Sequence, residues 1–238
     1  FESKPEKGRI SFSNPGYEIS HILKDGAPFI KPEMEGAGSK SEPGQPDLPT
    51  MSTYYAVEPG KIFTINASIK ESEVIENVEV VPFETWNSQP TGVIEKGVTY
   101  QQSSSFPANI ATVSDPMVFR DIVMVQVSVT PFQYNPVSKT LTVIQDVDLE
   151  LVESGETELP HIPQKKSREF EKLYRSLIVN YPSTLREGDE VYQRPSILYV
   201  LPNNIGNLLG TVEELMNWKK RVGFDVQYVS SSGIVNNR

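Results

Sequence analysis

FRDIVMVQVSVTPFQY, residues 119 to 134, alternates through its middle, with Val123, Val125, Val127 and Val129 two positions apart. That spacing lines one face of a strand. The next five residues, NPVSK, carry turn chemistry, and Leu141, Val143, Val147, Leu149 and Leu151 then resume the period of two. A strand, a short Asn-Pro turn and a second strand predict an antiparallel hairpin. Upstream, Phe63, Ile65, Ala67 and Ile69 alternate with polar residues as in a half-buried strand. VIENVEVVPF (74–83) predicts another, with Pro82 ending it or placing it at an edge. Residues 84–118 read as a long polar excursion interrupted by Pro107 and Pro116, and EGAGSKSEPGQPDLPT (35–50) as loop or extended chain. Residues 1–152 are therefore expected to form a mainly β domain, an antiparallel sandwich.

Composition narrows the classes. The 238 residues carry a net charge of −9 and no cysteine, and 37% are hydrophobic. Acidic balance without a basic stripe argues against nucleic acid as the main partner. Disulfides, thiolate metal sites and a cysteine nucleophile are excluded within this chain. No apolar run approaches the ~18 residues of a membrane span. No His-Glu-x-x-His, phosphate-binding glycine loop or EF-hand spacing occurs, so neither a metal nor a cofactor is expected.

The pattern changes after residue 152. Residues 153–195 read as a linker with one helix: KKSREFEKLYRSLIVN (165–180) places Phe170, Leu173, Tyr174 and Leu177 on one stripe. SILYVLP (196–202) is a continuous apolar run, expected for a strand buried on both faces. TVEELMNWKKRV follows as a helix, with Thr211 and Glu214 as a capping box, Lys219, Lys220 and Arg221 in the last turn, and Gly223 at the stop. FDVQYVS returns as a strand. Residues 196–238 thus predict one βαβ unit, the beginning of an α/β domain. Two parallel strands and one helix leave most of their apolar surface bare, so this unit is expected to dock on further polypeptide, continuous with it or separate.

SILYVLPNNIGNLLGTVEELMNWKKRVGFDVQYVSSSGI (196–234) resembles the opening of the catalytic domain of gingipain-type cysteine peptidases, through Trp218-Lys219, Gly223 and Val226. GQPDLPTMSTYYAVEPG (44–60) resembles the G-x-P-x-L-P segment of the gingipain propeptide, and FRDIVMVQVSVTPFQYNPVSKTLTV (119–143) its paired strands around P-F-Q-Y-x-P. The resemblance implies a zymogen of a secreted or cell-surface enzyme: a sandwich propeptide followed by a caspase-like α/β peptidase. The propeptide would be inhibitory and fold-assisting, and released by proteolysis. Its partners would be the rest of the catalytic domain and the parent's protein or peptide substrates. The family's catalytic His and Cys lie downstream, so no catalytic residue is expected here. His21 and His161 match no catalytic motif.

In the gingipains a propeptide loop places a basic residue in the primary specificity pocket. The resemblance makes Arg120 the candidate pseudo-substrate residue, with Lys96 in EKGV as runner-up; a guanidinium suits a bidentate acidic pocket. The plainer reading of Arg120 is a strand-end residue with a solvated or locally paired charge. Arg168, Arg175, Arg186 and Arg194 lie near the domain junction. Arg186, in TLREGDE, is the expected processing site, since Arg194 precedes a proline, and Arg238 is a second. Two rivals stand beside this reading. One is a cell-surface sandwich for adhesion, which an exposed row of aromatics would favour. The other is a processing peptidase of a secretion system, with another specificity.

Overall fold

The computed structural model describes residues 1–24, 26–84, 95–159, 170–181, 195–204, 206 and 208–230. The early strands are β1 (Glu2–Ser3), β2 (Arg9–Ser13), β3 (Glu18–Lys24), β4 (Ala27–Glu33), β5 (Gly38–Ser39), β6 (Pro49–Ala56) and β7 (Lys61–Ile75). A 3₁₀ turn covers Val98–Gln101. β8 (Ala111–Val113), β9 (Met117–Phe119), β10 (Ile122–Val129), β11 (Phe132–Asn135) and β12 (Thr140–Glu156) come next. Helix α1 (Glu171–Leu177) precedes β13 (Ser196–Leu201), helix α2 (Leu208–Arg221) and β14 (Asp225–Ser230).

The alternating valines do what their spacing dictates. Val125, Val127 and Val129 are fully buried, and they meet Ile10 and Phe12 of β2 and Val147 and Leu149 of β12. β12 is the spine of the first sheet. β11 pairs with its start and β2 with its middle along one edge, and β7 runs antiparallel along the other. In the second sheet β10 lies between β6 and the two short strands β8 and β9, all antiparallel to it. Two sheets face to face across an apolar layer make the expected mainly β, antiparallel sandwich.

Three local readings change. Residues 119–134 do not form one strand: β10 ends at Val129 in the second sheet and β11 begins at Phe132 in the first. Pro131 lacks an N–H for the ladder, so the chain changes sheets there, its carbonyl accepting from the Ile144 amide at 2.8 Å. The hairpin about NPVSK is β11–β12. The strand expected over 74–83 is also replaced. Val74 and Ile75 finish β7, Asn77 turns the backbone with a φ of 59°, and Val80 and Val81 continue as buried extended chain bonded to Ile30. Residues 35–50, expected as loop or extended chain, contain β5 and the start of β6, and β1 to β4 precede them.

A second apolar cluster joins Phe132, Tyr134, Leu141 and Val143 to Ile30, Leu48 and Val80. A third lies on the outer face of β10, where Ile122 and Met124 pack under Tyr174, Ile178 and Tyr181. β10 is thus covered on both sides, which is why its sequence is nearly continuous in apolar residues.

β13 and β14 pair in parallel, with α2 between them in sequence. α2 ends as its sequence predicts: Gly223 has a φ of 101°, its N–H reaches the Lys220 carbonyl, and the Phe224 N–H reaches that of Lys219. These two bonds are those of a Schellman stop. α2 already runs from Leu208, so Thr211 and Glu214 sit inside it and form no capping box. Met216 and Val226 are buried, but Leu198 and Val200 are 59% and 55% exposed. β13 is therefore covered on one face among the described residues, where burial on both was expected.

Candidate functional site

Phe119 of β9 faces Ile122 of β10, so Arg120 and Asp121 alone make the turn between the strands. A two-residue turn that matches strand twist needs positive φ at one or both central positions. Arg120 supplies it, with a φ of 59°. A side chain in the left-handed region costs about 1–3 kcal/mol unless its surroundings hold it there. The neighbouring residue provides an anchor: Asp121 is 7% exposed, and its carboxylate accepts a hydrogen bond from the Tyr174 hydroxyl. Burial first, and then this bond to a carboxylate, raise the Tyr174 hydroxyl above the ordinary phenol range. Arg120 itself is exposed, and its Cζ lies 3.8 Å from the centroid of the Phe170 ring, a cation–π contact. Among the described residues no carboxylate pairs with it within 4.0 Å.

Phe170 and Tyr174 are one helical turn apart, and the residues after α1 fix both. The Val179 N–H donates to the Tyr54 carbonyl at 2.9 Å. The buried Asn180 side chain binds both backbone groups of Ala56, accepting from its N–H at 2.8 Å and donating to its C=O at 2.9 Å. Within this strap of residues 170–181, Glu171 receives Arg175 at 2.8 Å on one oxygen and the Tyr181 hydroxyl on the other. The helix read as part of a linker is thus packed onto the second sheet, beside the Arg120 turn.

Lys96 has different surroundings. Its ammonium pairs with Glu79, which also receives Lys139 at 3.1 Å, and it lies 5.2 Å and 5.6 Å from the rings of Phe29 and Tyr100. Burial alone would raise the Glu79 carboxyl; the hydrogen bonds from the two lysines outweigh that and hold it below the usual range. Lys96 is therefore held against the body of the sandwich, whereas Arg120 sits at a turn. His21 is exposed on β3, and Trp218 is half exposed near the end of α2. Arg175 pairs with Glu171. His161, Arg168, Arg186, Arg194 and Arg238 lie outside the described residues.

The family resemblance makes Arg120 a candidate but does not point to Asp121, Phe170 or Tyr174 as its supports. The helical stripe holding Phe170 and Tyr174 is visible in it; nothing in the spacing names the surface that stripe covers.

Comparisons with known proteins bear on this geometry. A family model described as Propeptide_C25 matches residues 4–187. Gingipain R2 of Porphyromonas gingivalis is 27% identical over 197 residues, covering 77% of this chain and 25% of that protein. Gingipain R1 of the same organism is 29% identical over 191 residues, covering 77% of this chain and 19% of that protein. The chain spans a quarter or less of the length of these curated relatives. Among solved structures, a complex of Porphyromonas gingivalis RgpB pro- and mature domains matches with a TM-score of 0.64 at 25% identity, over 76% of this chain and 95% of that one.

Proposed function

This chain belongs to the Propeptide_C25 family, the propeptides of gingipain-type cysteine peptidases, and from that premise we propose that its sandwich inhibits the peptidase to which it is joined and assists its folding. Arg120 is the pseudo-substrate residue. The observation that carries this assignment is an exposed arginine at the tip of a tight turn whose backbone is anchored from behind by Asp121 and Tyr174. Such a turn can present a guanidinium to an acidic pocket with little further loss of backbone freedom. Lys96, already committed to Glu79 and two rings, would have to give up those contacts first.

In this reading the propeptide occupies residues 1–152, residues 153–195 connect it, and 196–238 open the α/β, caspase-like catalytic domain. The parent is a secreted or cell-surface cysteine endopeptidase acting on protein or peptide substrates, and cleavage at Arg186, with a second site at Arg238, separates the parts. The bare Leu198 and Val200 on β13 support a continuing sheet or covering layer beside this unit. A preformed sandwich tethered next to a slowly assembling parallel sheet offers it a docking surface at high effective concentration. The RgpB complex of pro- and mature domains is a pairing of the same kind in that protein. The adhesion rival finds little support: among the described residues of the sandwich, the large apolar side chains most exposed to solvent are aliphatic.

All three buried clusters draw on residues 1–181, so this segment has a core of its own. Added to the mature catalytic domain, it is expected to inhibit competitively with a small arginyl-amide substrate. Steady-state kinetics at several substrate concentrations check this, and inhibition that substrate cannot relieve would count against a cleft-occupying propeptide.

A further inference from the structure

We propose that Tyr174 and Phe170 are positioning residues that keep the Arg120–Asp121 peptide bond in a form that can be bound but not cut. The inference rests on Arg120 being the pseudo-substrate residue. A peptidase must bring the carbonyl of the arginine to its nucleophile on an extended backbone with free chain on both sides. Here the arginine is left-handed, at a φ of 59°, and its successor is buried and hydrogen-bonded to Tyr174. The next residues give no slack, because Ile122 and Met124 lie beneath Tyr174, Ile178 and Tyr181. Straightening the chain after Arg120 would pull Asp121 from Tyr174 and break a buried hydrogen bond beside an apolar cluster.

The side chain is less constrained than the backbone. The Arg120 guanidinium rests on one aromatic face at the surface, a contact that is weak where water reaches it. It can swing from Phe170 into an acidic pocket while the turn keeps its shape. Phe170 thus parks the side chain, Tyr174 locks the scissile bond, and the docking of Val179 and Asn180 on β6 holds both in place. The strap makes an Arg–Asp bond at an exposed turn behave as an inhibitor's bond and not a substrate's.

The test uses the 238-residue chain and trypsin alone, with bond-resolved initial cleavage rates read by mass spectrometry. Arg9–Ile10, in core strand β2, reports global opening. Tyr174→Phe keeps the ring in the cluster and removes only the hydroxyl. It is expected to raise the rate at Arg120–Asp121 about tenfold relative to that at Arg9–Ile10, because cleavage follows the population of the locally open form. Phe170→Ala should shift the ratio the same way, and Phe170→Tyr, which keeps the aromatic face, should leave it as in the wild type. An unchanged ratio in Tyr174→Phe and Phe170→Ala, whether both bonds become faster together or neither does, overturns the proposal. The ratio needs no partner enzyme, so its outcome is separate from the inhibition constant that tests the pseudo-substrate reading.

Discussion

At Glu79 one carboxylate serves two lysines, Lys96 and Lys139, with Tyr100 and Phe29 beside the first. Its lowered pKa fixes the sign of a pH effect. A carboxyl depressed in the folded state adds stability above its unfolded value, about 4.3 for glutamate, and that contribution disappears as pH falls through the folded value. Glu79→Gln should therefore cost about 0.5–1 kcal/mol near neutral pH, the usual size for a partly exposed pair, and nothing below the folded pKa. Urea unfolding from neutral pH down to about pH 3 checks this: the two stability curves should converge at the acid end. The same residue explains why two basic candidates that look alike in sequence differ in the fold. Nothing in EKGV announces that Lys96 meets a glutamate seventeen positions earlier, whereas Arg120 stands beside Asp121 in sequence and yet pairs with an aromatic ring fifty positions later.

Among elements, the strap of residues 170–181 is tied to β6 by the Val179 amide and by one polar side chain, that of Asn180. Asn180 closes two hydrogen bonds on the Ala56 backbone from a buried position. Asn180→Ala takes the partner from that part-buried N–H and C=O and should cost about 1–2 kcal/mol. Hydrogen exchange should show it as lost protection at Ala56 and Val179, with amides of β2 and β12 keeping theirs; equal loss everywhere would mean that the strap is not a separable unit. Local order is legible in the sequence wherever one face of an element is buried in phase with its period. The valines of β10, the leucines of β12 and the Gly223 stop of α2 are of this kind. It is not legible where partners are distant in sequence. Ile10 and Phe12 alternate over five residues only, and β2 becomes a strand because β12 lies alongside it. The corner at Pro131 is hidden because Val129 and Phe132 are both apolar and differ only in which sheet they join. For the candidate site, Arg120 and the Phe170–Tyr174 stripe can each be read, but their contact spans fifty residues.

At the scale of the whole chain, apolar surface is distributed unevenly. The sandwich closes its inner faces, and the strap closes the outer face of β10. The βαβ unit leaves Leu198 and Val200 on one sheet face, Leu215 and Trp218 on α2, and Val222 just after it in contact with solvent. Burying one such side chain fully is worth about 1.5–3 kcal/mol, so these positions gain from a covering layer that the sandwich core does not need. The contrast supports the proposed division between a propeptide with its own core and the opening of a catalytic domain, and the proposal turns on how the two meet. The inhibition constant of residues 1–181 against the mature catalytic domain, measured for the wild type and for Arg120→Ala, tests that meeting directly. A guanidinium anchored in a specificity pocket is a binding hot spot, and its loss should weaken inhibition by at least about thirtyfold. An Arg120→Ala constant within about threefold of the wild type, less than about 1 kcal/mol, would contradict the account.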